Sequence, residues 1–363
     1  MKVKDITRAI ELMAPLYLQE SWDNSGMQVG DSESEVTGVL LCTDVREEIV
    51  DEAIEHGANV IISHHPLLFR GLKKIVGRSY QERIVARAIK HDITIYCAHT
   101  NMDSAVGGVN FKMAEKLGLS NVQVLDQQQG TQRKIVVFVP VDSASQVENA
   151  MCEAGAGRLG NYDNCCYSMN GEGHYRPLED SKPWSGEIGY IHNEPEVRLE
   201  VLVNKALCSK VIAAMLKAHP YEEPAFDIIT LENSDKYAGL GVIGDIEPQN
   251  AQVFLEKVKK AFEVKSLRYS GNLDRQIGRI AMCGGAGSEF VGLAMSQGAD
   301  IYITGDMKYH DFQGNEDHII LVDIGHYESE HYTKEIFYDI IKKKNPNFAV
   351  DFAQSETNQV KYL

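Results

Sequence analysis

Five residues stand out for what they could hold. His64 and His65 are adjacent, Asp103 lies four residues after His99, and Glu330 lies four residues after His326. Imidazole combined with carboxylate suits zinc, iron, manganese or nickel better than calcium or magnesium. A histidine and an acid four apart on a helix share one face and can hold one cation together. Adjacent histidines on extended chain point to opposite sides, so both can serve one centre only if the chain turns past the strand, as Pro66 allows. No cysteine enters these motifs, which argues against a Cys-rich structural zinc site. Taken singly each motif is weak. A His–His pair is more often incidental than a metal site, an i,i+4 His–Glu pair is usually a solvated helix face, and Asp103 could simply cap a turn.

Their placement is what joins them. Val36 to Thr43, Asn59 to Ser63 and Asp92 to Ala98 read as strands, separated by helices over Arg46 to His56 and Gln81 to Lys90. The C-terminal third repeats this grammar. Strands fall at Arg279 to Cys283, Asp300 to Thr304, His318 to Asp323 and Asn347 to Ala353, with helices at Ser288 to Ser296, Ser288 its N-cap, and from near His326. Alternation of this kind implies βαβ units and a parallel sheet. His64, His65, His99, Asp103, Asp306 and His326 all follow the carboxyl ends of these strands, where open α/β sheets form their ligand crevice.

The two ends also resemble each other. A shift of 241 residues lays Gly38–Ser63 over Arg279–Thr304 without a gap, with seven identities in 26 columns, among them Cys42 on Cys283 and Gly57-Ala58 on Gly298-Ala299. After the next strand in each half comes a histidine, three residues and an acid: His99 to Asp103, and His326 to Glu330. We therefore expect two intertwined, pseudo-repeated αβα half-domains, each giving half of one site. The middle follows a different order: strand at Lys134 to Pro140, helix at Ser143 to Ala154, strands at Cys165 to Met169 and Val197 to Val203, helix at Lys205 to His219, strand at Ala225 to Leu231. This βαββαβ series is the ferredoxin-like plan. The expected organisation is an α/β core of 1–127 plus 236–363, interrupted by an inserted domain at 128–235.

Composition narrows the function. The net charge of −16 opposes phosphate backbones, so nucleic acid is an unlikely partner. No apolar stretch approaches the roughly 20 residues of a membrane span, and the N-terminus reads as an amphipathic helix instead of a signal peptide. Seven scattered cysteines without zinc-finger spacing fit reduced thiols and a cytoplasmic location.

The segments ESWDNSGMQVG at Glu20–Gly30, ISHHPLLF at Ile62–Phe69, HTNMDSAVGGVN at His99–Asn110, TGDMKYHD at Thr304–Asp311 and GHYESE at Gly325–Glu330 resemble the GTP cyclohydrolase I type 2-like family, also called Nif-three-like dinuclear-metal hexameric proteins. The resemblance covers most of 1–125 and 236–363. It implies two divalent metal ions per chain, zinc foremost with iron, manganese or nickel as alternatives, on His64, His65, Asp103, His326 and Glu330. His99 matches a family histidine near the metals and becomes the candidate catalytic proton carrier. The resemblance also implies a homohexamer, as a trimer of dimers or dimer of trimers. The middle segment, including AHPYEEPAFDI at Ala218–Ile228, resembles the PII- or CutA-like domain of longer members. The implied activity is metal-dependent hydrolysis of a nucleotide-like small molecule, as in GTP cyclohydrolase chemistry. The alternative is a non-enzymatic metal carrier or effector-regulated assembly. Trp22-Asp23-Asn24 could line the pocket, and the glycine run Gly284 to Gly287 could cradle a phosphate or simply make a tight turn.

Overall fold

The computed structural model describes residues 1–315 and 317–363. The chain divides into two compact units, Met1–Gln127 with Lys236–Leu363, and Gln128–Asp235.

The first unit contains two sheets. In one, Val350–Phe352, Val39–Cys42, Val60–Ser63 and Thr94–Cys97 run parallel, and Gly26–Val29 closes the edge antiparallel to Thr94–Cys97. In the other, Gln276–Ala286, Ile301–Gly305 and Ile320–Asp323 run parallel. Arg268–Ser270 pairs antiparallel with Ile320–Asp323, Asp235–Asn250 pairs antiparallel with Gln276–Ala286, and Ser120–Gln128 lies at the outer edge. Each sheet therefore takes a strand from the opposite end of the chain: Val350–Phe352 joins the N-terminal sheet and Ser120–Gln128 the C-terminal one.

The parallel strands are apolar on both faces, as strands covered on both sides must be. Leu41, Ile62 and Tyr96 share one core with Met282, Ile303 and Val322 of the second sheet. The helices Val3–Met13, Val109–Leu117, Ala251–Ala261 and Thr333–Lys344 supply buried side chains to that same core. The alternate residues Leu40, Ile61 and Ile95 face outward onto the helices Glu47–Glu55 and Tyr80–Lys90. Ala281, Tyr302 and Leu321 pack outward in the second sheet.

Register lines up the strand ends. Cys42, Ser63 and Cys97 are in line across the first sheet, and Thr304 pairs with Asp323 in the second. Ser288 departs from its expected role. Gly287 occupies the position before the turn, and Ser288–Phe290 forms a 3-10 turn ahead of the helix Val291–Ser296. No helix among the described residues is long and apolar enough to cross a membrane.

The second unit is a four-stranded antiparallel sheet in the order Cys166–Tyr175, His192–Asn204, Gln132–Pro140, Phe226–Thr230. The helices Ala144–Glu153 and Cys208–Ala218 contribute Val147, Met151, Val211 and Met215 to its core, beside Ile135, Val137, Leu199 and Val201.

Candidate metal centre

Beyond Ser63 the backbone bends at His64 and His65. Their amides still bond to the neighbouring strand, His64 N–H to Cys42 O at 3.2 Å and His65 N–H to Thr43 O at 2.9 Å. The bend brings both rings to one side, with centroids 4.9 Å apart. Asp103 comes from the short helix Thr100–Ser104, which starts just past His99. His326 and Glu330 open and close the helix His326–Glu330.

Two donor groups result. His64 Nε2 lies 3.6 Å from Asp103 Oδ1 and 3.6 Å from Glu330 Oε1. His65 Nε2 lies 2.9 Å, and His326 Nε2 3.1 Å, from the other oxygen, Glu330 Oε2. The two latter nitrogens are 3.3 Å apart. Each set of donors falls within 4.8 Å of one another, and Glu330 belongs to both. His99 makes a third set with His64 and His65. All five residues expected to be ligands thus converge, and His99 stands beside them.

Every histidine is aimed in the same way. His64 Nδ1–H donates to Ala98 O at 3.0 Å, while the Nδ1 atoms of His65, His99 and His326 sit on carboxylates of Asp44, Asp23 and Asp306 at 2.9, 2.8 and 2.8 Å. Such partners fix ring orientation and leave Nε2 directed at a cation. Asp306 adopts a left-handed backbone, φ 54°, unusual for a residue with a side chain, at the position that reaches His326.

Fit to a cation can be tested on the donors themselves. His64 Nε2 and Asp103 Oδ1 are buried without a hydrogen-bond partner. Unpaired buried polar atoms are costly, and a shared cation satisfies both. Their 3.6 Å separation is too long for a hydrogen bond and close to the roughly 3.4 Å between ligands of a tetrahedral ion with bonds near 2.1 Å. Gly285 gives the carboxylate its space, since a Cβ there would collide with Glu330 Oε1. Gly285 therefore makes this close approach possible. Two amides of the glycine run are engaged, Gly284 N–H by Asn110 Oδ1 and Gly285 N–H by Ser329 Oγ, each at 2.8 Å.

The electrostatics agree. Burial, then repulsion from Glu330, pushes Asp103 up to about 8. Burial opposes ionisation of Glu330 too, but its contacts with His64, His326 and His65 outweigh it and hold the carboxyl well below the ordinary range. Burial alone would lower His326, yet Glu330 and Asp306 raise it to about 9. His65 is likewise raised against burial, by Asp44 and Glu330. Below pH 9, then, the metal-free His326 carries a proton that a cation must displace. Metal uptake at pH 7 is expected to release protons, and affinity should rise with pH up to about 9. Calorimetric titration in buffers of different ionisation enthalpy measures this. An enthalpy independent of buffer would contradict it.

Asp44 and the specific role of Asp23 escaped the sequence reading. Asp44 follows Val39–Cys42 just as His65 follows Val60–Ser63, so the strand-end rule could have found it. Asp23 accepts from His99 Nδ1–H, Thr100 N–H, Thr100 Oγ1–H and Ser25 Oγ–H. Burial opposes its ionisation, but these bonds, His99 first, hold it far below the usual carboxylate range. The Lys308 backbone N–H bonds Asp311, and the exposed His310 ring pairs with Gln313.

Fold and donor groups together define an α/β protein with His, Asp and Glu side chains able to hold metal. The chain belongs to the Duf34/NIF3 (NGG1p interacting factor 3) family, whose profile matches residues 1–360. It is 40% identical over 324 residues to a Halalkalibacterium halodurans protein named GTP cyclohydrolase 1 type 2 homolog, covering 88% of this chain and 87% of that one. A Staphylococcus aureus protein of the same name is 34% identical over the full length of both. The crystal structure of a Bacillus cereus protein related to NIF3 matches with a TM-score of 0.83 and 39% identity, covering 100% of this chain and 99% of that one.

Proposed function

We propose that the first unit is a dinuclear divalent-metal hydrolase acting on a nucleotide-like substrate, similar in chemistry to its relatives' name. The observation that carries this is Glu330. Its two oxygens face two separate donor groups, His64 with Asp103 and His65 with His326, as a bridging carboxylate does. Bound cations would supply Lewis acidity to an attacking water and a leaving oxygen. Zinc leads the candidates, with iron, manganese or nickel compatible with the same donors.

The chain's own residues do the rest. Ionised Asp23 holds the His99 Nδ1 proton, so Nε2 faces the donor groups ready to take or give one. A cavity of about 870 Å³ opens beside His65 and His326 and is lined by Arg46, Arg268 and Tyr327. Trp22 and Phe69, 5.8 Å apart and exposed, stand on the His99 side, where a base can stack.

The same proposal takes the two sheets as a pseudo-repeat, each giving a histidine followed by an acid, and the second unit as a ferredoxin-like domain, supported by its strand order. A cytoplasmic homohexamer completes it, with light scattering of the pure chain as its check.

A turnover screen over GTP, other nucleotides and phosphoesters, with and without chelator, tests the activity. Chelator-sensitive turnover that returns on adding metal is expected. Metals bound without turnover of any nucleotide or ester would replace the hydrolase with the carrier, a reading consistent with the deep burial of His64 and Glu330.

A further inference from the structure

The second unit has a cavity of its own, about 470 Å³. It is lined by Phe138, Tyr175, Trp184 and Tyr221 together with Glu196. This glutamate is 8% exposed, unusual for a carboxylate. The Tyr221 hydroxyl donates to its Oε1 at 2.8 Å. Its Oε2 has no hydrogen-bond donor among the described residues. Gly173 makes the place for it, because a Cβ there would collide with that oxygen.

The segment AHPYEEPAF is built around this carboxylate. His219 Nε2–H donates to Phe138 O at 2.9 Å, and its Nδ1 accepts from Tyr221 N–H at 3.1 Å. The ring thereby fixes the turn that delivers the Tyr221 hydroxyl. Glu222 Oε1 accepts from Lys182 N–H at 3.0 Å, and the Tyr175 hydroxyl donates to Ser185 O at 3.0 Å, which ties down the loop carrying Trp184.

The lining carries Glu172, Glu196, Glu222 and Glu223 against a single lysine, Lys182. That balance excludes phosphate and other anions. No set of three metal donors within 4.8 Å of one another occurs in this unit among the described residues, so a bare metal ion does not fit either. A buried glutamate with an oxygen left for a donor, in a cavity also lined by aromatic rings, fits a positive group with N–H donors on an apolar stem.

We propose that this cavity is a binding site for a small organic cation, an alkyl ammonium or guanidinium, whose charged head meets Glu196 Oε2 and whose stem lies against Trp184, Tyr175 and Tyr221.

Calorimetry on the full-length, metal-loaded chain, with agmatine and putrescine as probes, tests this. At least one amine is expected to bind at millimolar concentration or below. Glu196→Gln should weaken binding roughly tenfold or more, and Trp184→Ala by several-fold. Trp184 is exposed, so its variant folds and remains decisive even if Glu196→Gln does not. The proposal is overturned if neither amine binds, or if both folded variants bind as the parent does, the mark of diffuse attraction to an acidic surface.

Discussion

Glu330→Ala is expected to empty the whole centre, whereas Asp103→Asn or His326→Ala should each cost mainly one cation. The asymmetry follows from the two carboxylate oxygens. Oε1 serves His64 and Asp103, and Oε2 serves His65 and His326. Its removal leaves three imidazoles facing one another with one remaining acid, Asp103, which burial already pushes toward the neutral form. The loss in metal affinity should exceed the roughly 10–100-fold typical of an outer-shell partner. Elemental analysis of purified variants, normalised per chain, reads it. If Glu330→Ala keeps the parent's metal while Asp103→Asn loses its share, Glu330 is no bridge.

The second large effect concerns His99. His99→Asn should leave the metals in place and reduce turnover of whichever nucleotide is hydrolysed by about 10²–10⁴-fold, the range for a lost general acid–base group. Its ring lies 5.4 and 5.5 Å from those of His64 and His65, close enough to exchange a proton with a substrate held there. Asp23→Asn should reproduce part of the loss, because its NH2 must replace either the oxygen that accepts from His99 Nδ1–H or the one that accepts from Thr100 and Ser25, setting donor against donor. Two results would each remove His99 from this role: full turnover by the variant, or loss of a cation from it. The second would make His99 a ligand.

Much of the centre was legible in the sequence because parallel strands place the residues that follow them at one edge. Cys42, Ser63 and Cys97 are in register, so His64, His65 and His99 had to meet once the strands were found. The ring-orienting acids were harder to see. Asp44 and Asp23 partner histidines 21 and 76 residues away, and no fixed spacing signals such a pair. Gly239, Gly241 and Gly244 hide the long strand Asp235–Asn250. Glycine is poor strand material, but here Cβ atoms at Gly239 and Gly241 would strike the neighbouring strands. Val350–Phe352 was recognisable as a strand, yet its membership of the N-terminal sheet was not, because three residues carry no information about which edge they join.

The centre's most direct test is the number of metal ions per chain in the parent protein, located by anomalous diffraction. Two ions are expected, both bound by Glu330, one on the His64 and Asp103 side and one on the His65 and His326 side. A single ion, or two ions of which only one touches Glu330, would contradict it.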